Sequence, residues 1–548
     1  MRTVFVVSSI VAVLLVAVLG LLWRPLLALY LIVLPGIGIG VVDMFQTEHS
    51  LRRNFPLLSR GRWFMEWLRP FVRQYFFESE TDGAPVSRMF RSAVYQRAKG
   101  QSDTVPFGTK MDTYQSGYEW LAHSMAAIDT HGTVNDARVR FGGAGCTRPY
   151  EASLLNISAM SYGSLSANAI LALNAGARKG GFLHNSGEGG LSKYHLEHGG
   201  DLTWQIGTGY FGCRTKDGQF DPETFRENAC RDSVKMIEIK LSQGAKPGHG
   251  GILPAIKNNE EIAAARGVEV GTLVTSPPGH TAFTTPLEMM AFIGTLRELS
   301  GGKPIGIKLC VGRESEVVAL CKAMIETGTR PDFITVDGGE GGTGAAPIEF
   351  TNSVGMPLRD ALAFVCDCLS GFGLKDDIRV IASGKVFTAF HLVRCLALGA
   401  DTCNSARGFM LSLGCVQSLI CNTNHCPTGV ATQDASLAKG LVVTDKSERV
   451  QLWQAETLER LSEIVAASGL EAPSELNRTH VYRRISQHEI RRFDELFPYV
   501  EVGCLLEAPY PARFEQQMAE SDPGSFMPRR YVAQHAEGIR KLDVAASA

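Results

Sequence analysis

The feature that most constrains the fold is a regular alternation of short β-branched runs with helix-period segments after Cys146. The runs predict eight strands, at 154–160, 182–186, 236–241, 272–275, 305–310, 333–337, 379–383 and 402–405. Helical periodicity predicts helices between them at 166–179, 286–299, 315–327, 357–371 and 389–398. Eight strands joined by crossover segments predict an α/β fold, a (β/α)8 TIM barrel.

A doubly wound open sheet is the competing architecture for this pattern. That fold places a glycine-rich turn directly after its first strand, whereas the first run here ends in SAMSYGSLS. We therefore favour the barrel. The stretch 189–231 is too long for a simple loop, and we expect it to be an excursion on the active face.

Two apolar runs at the N-terminus are each long enough to cross a bilayer. Residues 4–23 and 26–42 carry no charge, and about twenty helical residues span a hydrocarbon core. A signal peptide is the alternative, but the first run is long for one, lacks a small-x-small cleavage site and precedes a second run. Arginines flank the pair on both outer sides, at positions 2, 52, 53, 60, 62, 69 and 73. The positive-inside rule then predicts an inner-membrane anchor with a cytoplasmic main domain.

Composition excludes two classes of protein. The chain has 54 Lys and Arg against 56 Asp and Glu, so no overall basic field favours nucleic acid as a partner. With 20% charged residues and abundant apolar ones, it is not largely disordered. In a reducing compartment, the 13 cysteines are not expected to form a disulfide framework.

We divide the chain into four segments. Residues 1–45 are a transmembrane hairpin, 46–148 a connecting region, 149–437 the barrel and 438–548 a helical C-terminal tail. In the connecting region, four aromatic residues share one helical face, which suits a membrane surface and packing on the main domain equally. These residues are Trp63, Trp67, Phe71 and Tyr75.

Polar and glycine-rich motifs follow most of the predicted strands, where barrel enzymes build their active sites. In chain order they are SAMS (Ser158, Ala159, Met160, Ser161), NSGEGG, QGAKPGHGG, SPPGH, Lys308, DGGEGGTGAAP (starting at Asp337, Gly338, Gly339), ASGK (with Gly384) and NSARG (with Ser405, Ala406, Arg407). The glycine-rich loops after the last two strands, with a helix starting after Arg407, are typical of a phosphate site.

Three cysteines follow the last strand in a C-x5-C-x4-C pattern: Cys415, Cys421 and Cys426. Three thiolates this close together can hold an iron–sulfur cluster, and a three-iron cluster needs only three protein ligands. Zinc with His425 as fourth ligand is one alternative. Inert buried thiols are another, which better fits the helical spacing of Cys321, Cys366, Cys368 and Cys395.

Over about residues 150–435 these motifs resemble, in order, the FMN-binding synthase domain of glutamate synthase. The matching segments are SAMSYGSLS, NSGEGG, QIGTGYFG, IKLSQGAKPGHGGILP, SPP, DGGEGGTGAAP and the three-cysteine segment ending in GVATQ. The resemblance implies FMN, held by SAMS and the last two strand-end loops, and a 3Fe-4S cluster on the three cysteines. It also implies reductive amination of 2-oxoglutarate through 2-iminoglutarate.

The resemblance assigns roles to individual residues as well. Glu188 and Lys246 correspond to residues at the flavin and oxo-acid site, and Arg266 to an arginine that binds a substrate carboxylate. Lys246 offers a cation for a carboxylate and a proton donor near the carbonyl or imine. Lys308 would place positive charge at the N1–C2 edge of the flavin. A plain surface cation is the alternative for both lysines.

The chain departs from the family pattern in ways that affect its substrates. It has no cysteine before Cys146, so we expect no glutamine hydrolysis of its own and a need for free ammonia or a separate amidotransferase. No C-terminal β-helix is expected. The family motif GEGGQ reads GHGGI, with His249 and Ile252 replacing Glu and Gln. His249 adds a possible proton donor and Ile252 removes a hydrogen bond, so the preferred 2-oxo acid is expected to differ.

No glycine-rich nucleotide motif follows a strand, so we expect electrons from ferredoxin or a separate reductase. The prediction is a membrane-anchored FMN and iron–sulfur oxidoreductase that acts on a 2-oxo acid and ammonia. The alternative is a membrane-bound electron-transfer or sensor protein that retains the cofactors without synthase activity. A 2-hydroxy-acid oxidase would leave the three cysteines unexplained.

Overall fold

The computed structural model describes residues 1–129 and 137–529. The chain divides into two compact units, Met1–Arg88 and Met89–Ala548.

The first unit is a helical hairpin followed by a short amphipathic segment. Helices Arg2–Leu22 and Tyr30–Phe45 are joined by a 3-10 turn, and the Tyr30 hydroxyl donates to the Val13 carbonyl at 2.8 Å. Both predicted apolar runs are thus helices, with the length and composition of membrane spans or of a signal sequence. After them come the helices Ser50–Asn54 and Arg60–Val72 and a π-helical turn, Arg73–Phe77.

The second unit contains a closed barrel of eight parallel strands, which confirms the predicted fold. Its strands are Leu155–Ile157 (β1), His184–Asn185 (β2), Leu202–Ile206 (β3), Val234–Lys240 (β4), Ile305–Leu309 (β5), Phe333–Asp337 (β6), Arg379–Ser383 (β7) and Thr402–Ser405 (β8). β8 pairs in parallel with β1, with Asn404 opposite Asn156, and this pairing closes the barrel.

The five predicted helices lie within one or two residues of their expected bounds. They are Ala167–Gly180, Pro286–Leu299, Glu314–Thr327, Leu358–Gly371 and Ala389–Ala397. Their ends follow local chemistry: Thr285 and Glu288 form a capping box at the start of the second helix, and Gly181 ends the first in the left-handed conformation. The helix Arg88–Arg97 starts at the last residue of the first unit. Shorter helices of the second unit are Lys193–Leu196, Pro222–Ala229, Glu260–Arg266, Ile348–Ser353, Arg407–Ser412, Ala435–Ala438, Phe493–Leu496 and Glu515–Glu520.

Seven of the eight predicted strands lie in the barrel, including 236–241, which is β4, but the prediction of the fourth strand is wrong. Residues 272–275 are not in the barrel, since Val274–Thr275 pairs antiparallel with Ile252–Leu253 outside it. The missing strand is β3, inside the stretch predicted to be an excursion. Buried parallel strands usually have continuously apolar sequences. The sequence of β3, LTWQI, does not, since it includes Gln205, whose side chain points into the barrel and donates a hydrogen bond to Glu238 at 2.6 Å. The long excursion instead lies between β4 and β5.

The C-terminal region is largely helical, as predicted. Helix Val443–Ala467 packs on Ala167–Gly180, where Gly176 leaves room for Val450. Beyond it, Val481–Arg484 and Ile490–Arg492 form a hairpin that adds Glu119–Leu121 as a third antiparallel strand.

Candidate active site

The carboxyl ends of the barrel strands meet at a cleft that the β4–β5 excursion partly covers. Its lining includes Glu188, Thr208, Lys240, Gln243, His249 and Pro277. The cleft therefore joins residues that follow β2, β3 and β4 with residues of the excursion itself.

A buried ion pair lies in the cleft. The Lys240 ammonium contacts the Glu188 carboxylate at 2.6 Å and Gln243 Oε1 at 3.0 Å. Burial alone would raise the pKa of Glu188, but the nearby charges of Lys240, Arg266 and Lys246 outweigh it and hold this pKa below its usual value. Lys240 was missed in the sequence interpretation, although a charged residue at the end of an apolar strand was the available signal.

Lys246 lies beside this pair and is only 2% exposed, so it is not a surface cation. Burial and the positive charge of Lys240 lower the pKa of Lys246 to about 8, against the opposing effect of Glu188. An ammonium with this pKa can both hold an anion and release a proton close to neutral pH.

Arg266 approaches from the excursion, at the end of helix Glu260–Arg266. Its guanidinium lies 3.5 Å from Ser161 Oγ, 3.4 Å from the Tyr162 carbonyl oxygen and 5.1 Å from the centre of the Phe211 ring. Burial lowers the pKa of Arg266 to about 10, opposed by Glu188. Its Nε is buried and finds no hydrogen-bond acceptor among residues 1–129 and 137–529. A buried donor of this kind is suited to a ligand carboxylate.

Glu261 fixes the helix that carries Arg266. Its carboxylate accepts hydrogen bonds from Tyr162 at 2.9 Å, Tyr194 at 2.7 Å and Lys193 at 2.6 Å. These contacts attach the excursion to the loops after β1 and β2. The sequence interpretation contained no signal for this cluster, because its members are distant along the chain.

A second buried pair lies on the other side of the barrel mouth. The Lys308 ammonium is 3.5 Å from Asp337, which also accepts the Gly244 N–H at 2.9 Å. Burial opposes the charge on Lys308, but Asp337 and Glu238 raise its pKa overall. Lys308 is 5% exposed, so the surface alternative fails for it as well. Glu238, also missed from sequence, accepts from Asn185, Gln205 and Thr335 inside the barrel.

The residues expected to hold FMN are brought together. Ser158 donates its N–H to the Ser405 carbonyl at 3.1 Å and lies 3.4 Å from the Ser383 hydroxyl. Gly338 N–H donates to the Ser383 carbonyl at 2.9 Å, and Gly339 N–H donates to Met356. Of SAMS, Ser158, Met160 and Ser161 are buried and Ala159 is half-buried. Gly187 packs so closely on SAMS that a Cβ there would come within 2.6 Å of Ser161 N.

The loops after β7 and β8 place two cations together. Burial lowers the pKa of Arg407, whose Nη2 donates to the Glu340 carbonyl at 2.9 Å. Burial and the charge of Arg407 also lower the pKa of Lys385, which follows Gly384. Ala406 precedes the helix that begins at Arg407, and Ser405 Oγ donates to Val386. Two partly desolvated cations that repel each other fit a phosphate, which would relieve the repulsion.

Cys415, Cys421 and Cys426 follow β8 and lie near one another: besides burial, the negative charge of the Cys426 thiolate raises the pKa of both Cys415 and Cys421. Burial would raise the pKa of Cys426, but Thr428 and the backbone N–H groups of residues 428, 430 and 431 lower it overall. Sulfur surrounded by N–H donors suits a thiolate ligand. Across the described part of the chain, no set of three or more His, Cys, Asp or Glu side chains has metal-binding geometry. The expectation of an iron–sulfur cluster at these three cysteines thus rests on the chemistry of their donor atoms alone.

The other cysteines differ from these three. All 13 are free thiols, and Cys321, Cys366, Cys368 and Cys395 are buried in helices. Burial raises the pKa of Cys321, Cys366 and Cys368, which fits inert thiols. His425, the alternative zinc ligand, is exposed.

His249 and Ile252, which depart from the family motif, flank a point where the backbone lies very close to the Glu188 carboxylate. His249 is half-buried in the cleft lining, with Nδ1 3.1 Å from the Gly250 carbonyl oxygen and its ring against Phe350. Ile252 begins the short strand Ile252–Leu253. Between them, a Cβ on Gly251 would come within 2.5 Å of Glu188 Oε1, so glycine is needed there for the carboxylate to reach Lys240.

A buried, cation-rich cleft at the mouth of a parallel barrel defines an enzyme-like site for an anionic small molecule. Residues 147–471 match the family model described as the conserved region in glutamate synthase. The chain belongs to the glutamate synthase family, and it is an oxidoreductase of that family.

Three relatives illustrate the similarity. The glutamate synthase large subunit-like protein YerD of Bacillus subtilis (strain 168) is 38% identical over 494 residues, which cover 83% of this chain and 94% of that protein. The archaeal-type glutamate synthase (NADPH) of Thermotoga sp. (strain RQ2) is 32% identical, covering 61% of this chain and 62% of that protein. The archaeal glutamate synthase (NADPH) of Methanocaldococcus jannaschii is 34% identical, covering 57% and 58%. The chain therefore spans about three fifths of the length of the latter two.

Proposed function

We propose that this protein is a membrane-anchored, glutamate synthase-like enzyme that reductively aminates 2-oxoglutarate or a related 2-oxo acid. The observation that carries the proposal is the meeting of one carboxylate, Glu188, with the three cations Lys240, Lys246 and Arg266 at the barrel mouth. The excess of positive charge suits a substrate with two carboxylates.

FMN is the proposed cofactor at the strand ends, where it would supply hydride to the imine. SAMS, Lys308, Asp337, Gly338 and Gly339 would hold its ring system, and Gly384, Ser405, Ala406 and Arg407 its phosphate. The close packing of these loops and the paired cations Lys385 and Arg407 support this assignment. A 3Fe-4S cluster on Cys415, Cys421 and Cys426 would pass electrons one at a time to the flavin.

The chain's own residues bind and protonate the substrate in this proposal. Arg266 and Lys240 hold carboxylates, while Lys246 holds a proton at the oxo or imino group and releases it as the substrate is reduced. Glu188 keeps Lys240 in place, and His249 is a second proton donor at the cleft wall. Membrane anchoring by residues 1–45, free or partner-supplied ammonia, and ferredoxin or a separate reductase as electron donor complete the proposal.

The direct test follows the reduced flavin in the purified, full-length protein. Reoxidation under anaerobic conditions is measured with a panel of 2-oxo acids, each with and without ammonium. Reoxidation that requires both an oxo acid and ammonium supports the proposal. If no oxo acid reoxidises the flavin, with or without ammonium, in protein that contains flavin and cluster, the result contradicts the proposal and favours the electron-transfer or sensor alternative.

The pKa of Lys246 leads to a pH prediction. Below about pH 8 Lys246 is an ammonium, and above it the proton and the charge are lost. We expect kcat/KM for the oxo acid to fall about tenfold per pH unit above pH 8. Lys246→Arg keeps the positive charge at high pH, so kcat/KM of this variant for the oxo acid should no longer fall above pH 8. An unchanged high-pH limb in Lys246→Arg would contradict the assignment.

A charge reversal at the phosphate loop should remove the flavin. Arg407→Glu replaces a cation beside Lys385 with a carboxylate, which repels a phosphate and removes a charge-assisted hydrogen bond. We expect FMN affinity to fall at least a hundredfold, measured as bound flavin per protein after gel filtration. The control is Arg313→Glu, an exposed arginine before helix Glu314–Thr327. Full flavin occupancy in Arg407→Glu would show that the phosphate lies elsewhere.

A further inference from the structure

We infer that the segment Arg60–Phe77 lies in the surface of an anionic membrane leaflet, as a second lipid-binding element beside the helical hairpin. The inference rests on the proposed membrane anchor and adds to it a lipid partner of defined chemistry. It concerns a motif that the catalytic proposal leaves unused.

The two faces of this segment differ sharply. Arg62, Glu66, Arg69 and Arg73 recur every three or four residues on one side, whereas Phe64, Trp67, Leu68, Phe71 and Tyr75 occupy the opposite side. The apolar side is exposed: Phe64 is 54%, Trp67 64% and Tyr75 57% accessible. Contiguous exposed aromatics rimmed by charge mark an interaction surface.

Contacts within the first unit place this segment at the open end of the hairpin. Arg60 Nη2 and Nε bind the buried carboxylate of Asp43, near the end of the second helix, at 2.8 and 2.9 Å. The Leu57 N–H donates to the same carboxylate, and Arg2 donates to the Arg53 carbonyl at 2.6 Å. The helix therefore begins where the apolar spans end, which is the depth of the lipid head groups.

Charge selects the kind of lipid. Residues 46–77 contain six arginines and two glutamates, and Arg52 stacks on Trp63 with 4.5 Å between its guanidinium carbon and the ring centre. Aromatic side chains that insert at the head-group boundary, with arginines on the other face, are typical of helices that bind anionic bilayers. A protein partner would not require this basic excess next to a membrane span.

The test uses the full-length protein in nanodiscs of phosphatidylcholine, with or without phosphatidylglycerol. A photoreactive benzoylphenylalanine replaces Trp67 on the apolar face, Glu66 on the polar face, or Leu14 in the first apolar helix as a reference for the spans. We expect lipid adducts at positions 14 and 67, about tenfold fewer at position 66, and more adducts at 67 with phosphatidylglycerol. Arg62→Gln combined with Arg69→Gln should reduce that anionic preference about 25-fold, at about fivefold for each of the two charges.

The outcomes separate this inference from the membrane anchor. Adducts at position 14 with none at 67, or equal adducts at 66 and 67, overturn the surface helix and leave the anchor intact. Adducts at 67 without any at 14 overturn the spans and support the surface helix. Adducts at 67 that are insensitive to phosphatidylglycerol overturn the anionic-lipid assignment.

Discussion

Glu188→Gln is expected to lower the rate of oxo-acid reduction by roughly two to four orders of magnitude and the free energy of unfolding by about 3 kcal/mol. The substitution leaves the buried Lys240 ammonium without its carboxylate. It also removes the charge that raises the pKa of Lys246, so this lysine loses its proton at a lower pH. The checks are stopped-flow reoxidation of the flavin and denaturant unfolding of the holoenzyme.

A double-mutant cycle separates the pair from general disruption of the cleft. Lys240→Met alone should destabilise the protein by a similar amount, because it leaves Glu188 buried and unpaired. The double variant should be no less stable than either single one, giving a coupling energy of about 3 kcal/mol. Glu489→Gln, which breaks an exposed pair with Arg491, should cost less than about 0.5 kcal/mol. Additive losses in the cycle would show that Glu188 and Lys240 act independently.

Most of the barrel could be predicted from local sequence because its strands and helices carry strong periodic patterns. Pro286–Leu299 starts with a proline and a capping box, so its bounds are encoded locally. β3 was missed because the barrel interior is polar at this point: Glu238 gathers Asn185, Gln205 and Thr335. The apolar pattern that identifies a parallel strand is lost wherever the strand contributes to such a network.

The residues of the candidate site that belong to recognisable motifs could be predicted from the sequence. Those that only the fold brings into the site could not. Glu188, Lys246 and Arg266 follow from motif positions, and their proximity appears in the shared electrostatics of the site. Lys240 is the last residue of β4, and only the pairing of the barrel strands directs its side chain to Glu188 in the loop after β2. The contacts of Glu261 with Tyr162 and Tyr194 join segments about 100 and 67 residues apart. No local pattern encodes contacts of that separation.

Lys257 attaches the cysteine segment to the loop that follows SAMS. Its buried ammonium donates to the carbonyls of Cys421 at 2.7 Å, Ala431 at 2.9 Å and Ser164 at 3.4 Å. Ser164 follows SAMS, so one side chain joins the proposed cluster loop to the proposed flavin loop. A cluster held by the three cysteines would therefore be fixed relative to the proposed flavin loop.

Cys426→Ser is therefore expected to abolish the cluster while leaving the flavin bound. Cys426 is the buried thiol of the three, with N–H donors around its sulfur, and a three-iron cluster has no spare protein ligand. In anaerobically prepared protein, iron and the EPR signal of the oxidised state should fall close to zero, and reduction of the flavin by the physiological donor should stop. Dithionite should still reduce the flavin directly. Cys321→Ala, a buried thiol in helix Glu314–Thr327, is the control that should keep its iron. Zinc in the wild type, or iron retained in Cys426→Ser, would rule out electron transfer through these three cysteines.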